Sequence, residues 1–250
     1  MSALERAWAF DRELRERCAA RVERFELGAA LFDDALPRVY DANVVRLDRG
    51  YGELSTDEVA DLADSFHGDL GHRKVLLPDA AAGDRLMREL GGCGWSSTRT
   101  VVMEYAGART RDVDAARKAE LVDPRAVRGA REGSLEGDRA LQRQVADYTE
   151  RLARSCEART FAAFDDGEVG SFCALYEEDG VAEIDEVTTL PRFRGRGLAT
   201  AVVEAALGVS LAERNELTFV VADDADWPKG WYRRLGFRPV GYRFELYRSA

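Results

Sequence analysis

The chain is poor in the residues that most often carry metal and redox chemistry. Only two histidines, His67 and His72, and four cysteines, Cys18, Cys93, Cys156 and Cys173, occur in 250 residues, and no two cysteines form a C-x-x-C pair. A zinc site draws three or four such ligands at short spacing, so no metal centre is expected. The cysteines read as small buried apolar side chains. Lysine is confined to positions 74, 118 and 229, and we attribute the preference for arginine to base composition. Positive charge is outweighed altogether, 36 basic against 46 acidic residues for a net charge of −10. That excludes a non-specific nucleic-acid binder, which needs a basic surface to release phosphate counterions. It suits a cationic acceptor such as an amine. Long apolar runs are missing too. The opening MSALERAWAFDRELRERC carries charges every few residues, unlike a signal peptide, and no stretch is long enough to span a bilayer. A cytoplasmic location without membrane association is therefore expected.

What remains is an ordinary globular composition, 46% hydrophobic and 33% charged, long enough for one large or two compact domains. Apolar positions Leu4, Trp8, Leu14, Cys18 and Val22 predict an amphipathic helix over 3–26. A strand at 44–48 follows, then a helix opened by Ser55-Thr56 with Asp57 and Glu58 in its first turn. Strand 74–77, helix 84–90 and strand 98–105 complete a first domain, residues 1–110, of mixed α and β character. His72, Arg73 and Lys74 read as the solvated start of their strand. The polar stretch 106–118 reads as a linker. In residues 111–250 the pattern predicts a short strand at 119–122 and a helical region over 124–154. Strands follow at 159–164, 169–176 and 181–189, then a helix from Leu198 to about Arg214. Strand 217–222, a short helix 228–235 and strand 238–248 end the chain. The order is an antiparallel meander followed by one strand–helix–strand crossover.

Arg194-Gly195-Arg196-Gly197-Leu198-Ala199 lies between a strand and an amphipathic helix. The first amides of a helix lack intrahelical partners and carry partial positive charge, which suits a phosphate. Gly195 and Gly197 would let the backbone approach the anion closely, and Arg194 or Arg196 would add a charged contact. Taken alone, the loop fits a Gly-containing strand-to-helix turn with solvated arginines better than a phosphate site. It has neither the spacing of a nicotinamide fingerprint nor the lysine and hydroxyl of a P-loop.

With its surroundings, EVTTLPRFRGRGLATAVVEAAL (186–207), the loop resembles the GNAT superfamily of N-acetyltransferases, whose R-x-x-G-x-G/A pattern is met at Arg194, Gly197 and Ala199. WPKGWYRRLGFRPVGYRFEL (227–246) resembles that family's terminal Y-x-x-L-G-F segment through Tyr232, Leu235, Gly236 and Phe237. The resemblance implies an α/β (α+β) fold with a mixed, largely antiparallel sheet splayed open and flanked by helices. It implies acetyl-CoA as co-substrate, its pantetheine near Val187 and Thr189 on a bulged strand. Its diphosphate would lie on the amides of Arg194, Gly195, Arg196, Gly197, Leu198, Ala199 and Thr200. Tyr232 would stand near the sulfur as the acid for the departing thiolate. The alternative for Tyr232 is a core aromatic, and Trp231 and Phe237 are assigned to packing. The family's asparagine upstream of the tyrosine has no counterpart in ADDADWPKG.

An amine acceptor is about one part in a thousand free base at neutral pH, so transfer needs a route for its proton. Glu183, Asp185 and Glu186 lie on the central strand, and alternation places Glu183 and Asp185 on one face and Glu186 on the other. Glu183 ranks first as base by resemblance, then Glu186, then Asp185; solvated rim charge is the alternative for all three. Asp223 and Asp224 are candidates for binding the acceptor ammonium or relaying its proton through water. The expected activity is acetyl transfer to a small primary amine. A non-catalytic acyl-CoA-binding regulator, or transfer to protein amines, are the alternatives. LMRELGGCGW (86–95) echoes WYRRLGF (231–237), so the first half is either a degenerate copy, with Met87 in the place of Tyr232, or an independent packing domain. Its expected tasks are covering the sheet, shaping the acceptor pocket or forming a homodimer.

Overall fold

The structure, a computed structural model, describes residues 1–107 and 118–249. Helix α1 (Ala3–Cys18) precedes strands β1 (Arg21–Phe25), β2 (Gly28–Phe32) and β3 (Val45–Leu47), helix α2 (Thr56–His67), β4 (His72–Leu77), α3 (Ala80–Gly91) and β5 (Ser96–Tyr105). After the segment that reads as a linker, which lies almost wholly outside the described residues, come β6 (Ala119–Val122), α4 (Arg128–Ser134), α5 (Arg139–Arg154), β7 (Glu157–Asp165), β8 (Glu168–Glu178) and β9 (Val181–Thr189). Helix α6 (Leu198–Ala212), β10 (Leu217–Asp223), α7 (Pro228–Arg234) and β11 (Phe237–Ser249) complete the chain.

All eleven strands form one sheet in the order β1-β2-β3-β4-β11-β5-β10-β9-β8-β7-β6. Pairing is antiparallel except between β3 and β4 and between β9 and β10, which run parallel. Those two pairs are each joined through a helix, α2 or α6, because parallel neighbours need a crossover. The sheet reads nearly the same outward from the central β11–β5 pair, and the first half repeats the element order of the second. Even the loops before α2 and α6, residues 48–55 and 190–197, are equal in length. Each half's last strand is inserted into the other half: β11 lies between β4 and β5, and β5 lies between β11 and β10.

Helices cover both faces, as a sheet this wide requires to bury its apolar residues. One face carries α1 and α5, which meet Ala174, Tyr176, Val181 and Phe219. The other carries α6 and α7 over Cys173, Ala182, Ile184 and Val220, and α2 and α3 over Val45, Val75, Phe244 and Leu246.

Three local expectations change. The first helix ends at Cys18, not near 26, and Arg21–Phe25 forms β1 against β2, neither strand foreseen. His72, Arg73 and Lys74 are buried, not solvated, because β11 pairs along the whole of β4. His72 stacks on Tyr40 with ring centroids 3.8 Å apart, and burial pushes its imidazole down to about 4. Lys74 bonds Asp41 at 2.6 Å and Glu245 at 2.7 Å. All four cysteines are free; Cys18 and Cys173 are buried as expected, whereas Cys93 is exposed.

Candidate active site

β9 and β10 pair over three positions only, Leu217↔Val181, Thr218↔Ala182 and Phe219↔Glu183, although both strands continue. Beyond Glu183 the sheet opens into a V. On the other side of β9 the register shifts: Ala174 faces Asp185 but Phe172 faces Thr188, so the chain carries an extra residue there. Glu186 sits in that bulge with φ 54°, in the left-handed region a non-glycine residue enters only under local constraint.

A cavity of about 920 Å³ fills the opening. Its walls are Val187, Thr188 and Thr189 of β9, the loop residues Pro191 and Phe193, every residue from Arg194 to Thr200, Asp226 to Pro228, Trp231 and Tyr232, and Gly133 to Leu135 where α4 ends. The residues assigned from the sequence to the co-substrate, Val187, Thr189 and Arg194 to Thr200, thus surround one space. Tyr232 joins them. Glu183 and Glu186 do not line it.

The start of α6 differs from that of every other long helix among the described residues. Ser2 with Glu5 and Ser55 with Glu58 form capping boxes at α1 and α2, and Asp79 and Asp138 cap α3 and α5. At α6 the N-cap is Gly197, φ 78°, with no side-chain cap and no acidic residue in the first turn. Uncapped amides and the helix dipole face the cavity, an arrangement that accepts an anion. Of the loop's arginines, Arg192 pairs with Glu168, and Arg196 pairs with Asp165 and donates to the Arg192 carbonyl at 3.1 Å. The Arg194 guanidinium has no partner among the described residues, which leaves it for a phosphate.

At the inner end, Tyr232 is 5% exposed between Trp231 and Phe237, ring centroids 4.8 and 5.7 Å away. Burial, with the nearby Asp185 carboxylate, pushes its phenol above the usual range. Trp231 does more than pack: it lines the cavity, and its Nε1 donates to Thr200 Oγ1 at 3.4 Å.

The carboxylates behave differently from simple alternation. Glu183, at the apex of the V, is 3% exposed. Burial first, then the Asp185 and Asp11 carboxylates, push it up to about 8. Asp185 is also raised by burial, and its Oδ1 accepts from the Glu186 amide at 2.7 Å. The bulge turns Glu186 to the α4–α5 side, the side of its neighbours Glu183 and Asp185, instead of the opposite face. There Arg131 Nε and Nη2 donate to its two oxygens at 3.2 and 2.9 Å. Asp224 is occupied by Arg99 at 2.5 Å and Lys229 at 2.9 Å, and neither Asp223 nor Asp224 lines the cavity. Asp226 does, a residue the sequence reading passed over.

A meander, a parallel strand pair splayed after three residues, and an open helix start on a glycine loop together define the acetyltransferase fold of the GNAT type. Residues 130–237 match the sequence model of the acetyltransferase (GNAT) family. The C-terminal half therefore carries a GNAT acetyltransferase domain, and family and fold support acyl-CoA-dependent acetyl transfer. The whole chain is similar in fold to a functionally unknown conserved protein from Staphylococcus epidermidis, at 14% identity over 92% of this chain and 94% of that one, TM-score 0.72. A GCN5-related N-acetyltransferase from Kribbella flavida matches at 19% identity over 99% and 96%, TM-score 0.64. A tandem GNAT protein from the clavulanic acid biosynthesis pathway matches at 14% over 90% and 81%, TM-score 0.55. No curated protein sequence matches. Among the described residues no helix is long and apolar enough to cross a membrane, and no cluster of metal-binding side chains occurs.

Proposed function

We propose that the protein transfers the acetyl group of acetyl-CoA directly to a primary amine, both substrates being bound at once. The observation that carries this reading is the single cavity joining the uncapped start of α6 to the Tyr232 phenol. A diphosphate on the Arg194–Thr200 amides and the free Arg194 guanidinium directs the pantetheine arm along Val187–Thr189, whose bulge leaves main-chain groups unpaired. The thioester then ends beside Tyr232. No cysteine lines the cavity, so direct attack by the amine is favoured over a thioester on the protein.

The amine arrives as an ammonium and must lose a proton. Glu183, at the apex of the V, is the accepting carboxylate: burial, with the Asp185 carboxylate beside it, pushes it up to about 8, where a carboxylate takes protons near neutral pH, and burial raises Asp185 as well. Tyr232 donates to the departing thiolate. In water that transfer is uphill by roughly 2 kcal/mol, phenol near 10 against thiol near 8.5, but a thiolate in the same dry cavity is destabilised as well.

The first half serves as a cover and a partner in the sheet, without transfer chemistry of its own. Its equivalent helix start is closed by Ser55 and Glu58, and Met87, at the place of Tyr232, packs among Leu86, Trp95 and Phe244. A panel of small amines with acetyl-CoA, read by free thiol released, tests the activity. Release with at least one amine is expected. Coenzyme A binding without release on any small amine or peptide amine would point to a regulator instead.

A further inference from the structure

We propose that Arg131 and Glu186 form a positioning clamp for the thioester, setting the distance between the two walls of the cavity, an inference that rests on the acyl-CoA reading above. The two residues stand immediately behind opposite walls. Glu186 precedes Val187, the first β9 residue on the cavity, and Arg131 lies two residues before Gly133, the first on the α4 side. Ser134 Oγ donates to the Arg131 carbonyl at 2.8 Å, tying that wall back to the same residue.

The contact is side-on and twofold, 2.9 and 3.2 Å, so it fixes orientation as well as separation. Both ends are held. The Arg131 side chain is 4% exposed and lies over the Phe172 ring at 5.4 Å, while its Nη1 is buried without a partner. Glu186 holds the left-handed backbone of the bulge, and that bulge frees the main chain at Val187 for the pantetheine arm. A buried ion pair is a poor source of stability, since an apolar pair of similar volume serves as well or better. The unsatisfied Nη1 makes it poorer still. What an apolar pair lacks is direction, and direction is what the two walls need.

This places Glu186 as a positioning residue and leaves proton transfer to others. With both oxygens taken by one guanidinium, Glu186 has none left to receive the acceptor's proton. Glu186→Gln keeps the shape but weakens the side-on contact. Its KM for acetyl-CoA should rise about tenfold, with the pH at which kcat turns over unmoved. A fall in kcat of a hundredfold or more at unchanged KM, or a displaced pH limb, would mark Glu186 as the base and overturn the proposal. The double variant Arg131→Met with Glu186→Leu separates positioning from folding. It should match the wild-type Tm yet keep the raised KM. A double variant whose KM returns to the wild-type value together with its Tm would show a merely structural pair. Calorimetry of the wild type with acetyl-CoA tells the two readings apart: absence of binding removes the acyl-CoA reading, and the clamp with it, whereas binding with an unaltered KM in Glu186→Gln removes the clamp alone.

Discussion

In the proposed reaction Tyr232 and Glu183 carry opposite halves of one proton balance, and each is displaced from its ordinary titration range in the same direction, upward, by burial. For the phenol this means a hydroxyl that stays protonated near neutral pH, as the proposed acid must. Tyr232→Phe should lower turnover by an order of magnitude or more while leaving acetyl-CoA affinity by calorimetry nearly unchanged, since the hydroxyl contributes only once the thiolate develops. Loss of affinity in proportion to turnover would count against the acid role. For Glu183 the shift has two consequences. A base that must be ionised, with its carboxyl pushed up to about 8, gives kcat/KM that climbs with pH through that region. Glu183→Gln should remove that limb. Stability moves the other way, because the folded state holds this proton more tightly than the unfolded chain does. The contribution is present at low pH and is lost as pH rises from the unfolded carboxylate range toward about 8. Melting curves from pH 5 to 8.5 should show the Gln variant gaining on the wild type as pH rises; parallel curves would mean that Glu183 is not buried with a raised pKa.

At the scale of elements, α2 and α6 are the same helix with different first turns. Glu58, third in α2, closes a capping box with Ser55, and the corresponding residue of α6 is Thr200 behind Gly197. Thr200→Glu would bring a carboxylate to the α6 amides, where it gains about 0.3–1 kcal/mol from the dipole and competes with a diphosphate. Acetyl-CoA affinity should drop at least tenfold while Tm holds or rises slightly, which separates loss of the site from loss of the fold. Arg194→Glu should weaken binding similarly, and coenzyme affinity equal to wild type in either variant would move the diphosphate elsewhere. The shape of this loop was legible in the sequence because its signal is local: two glycines and a helix start within six residues. The carboxylates were legible as residues but not in direction, since one inserted residue at Glu186 overrides the alternation on which a strand reading depends. The end of α1 was missed for a related reason. Leu14, Cys18 and Val22 continue a helical spacing, yet Val22 and Phe25 are held in β1 by β2, a pairing no helical period reports. Buried His72 and Lys74 owe their place to β11, some 170 residues later in sequence.

The whole molecule is organised by an exchange of strands that neither half displays alone. Without β5, the second half would leave an open gap between β10 and β11, strands that do not pair with each other. Without β11, the first half has the same gap between β4 and β5. The cost is large. Val101, Val102 and Met103 of β5 are each 1% exposed or less, all set between strands of the second half or against its helices. Withdrawing three such side chains costs roughly 5–9 kcal/mol, most of the 5–15 kcal/mol that typically separates a folded domain from its unfolded chain. The acetyltransferase domain should therefore not fold as an isolated fragment, although it contains the full cavity lining. Residues 111–250 produced alone should lack a cooperative thermal transition and bind no acetyl-CoA. Mixed with a separately produced 1–110 fragment, they should recover both, as two halves of one sheet do when their edges are complementary. A 111–250 fragment that melts cooperatively and binds the coenzyme by itself would show that β10 and β11 can close on each other, and that the first half is an appendage to the fold instead of part of it.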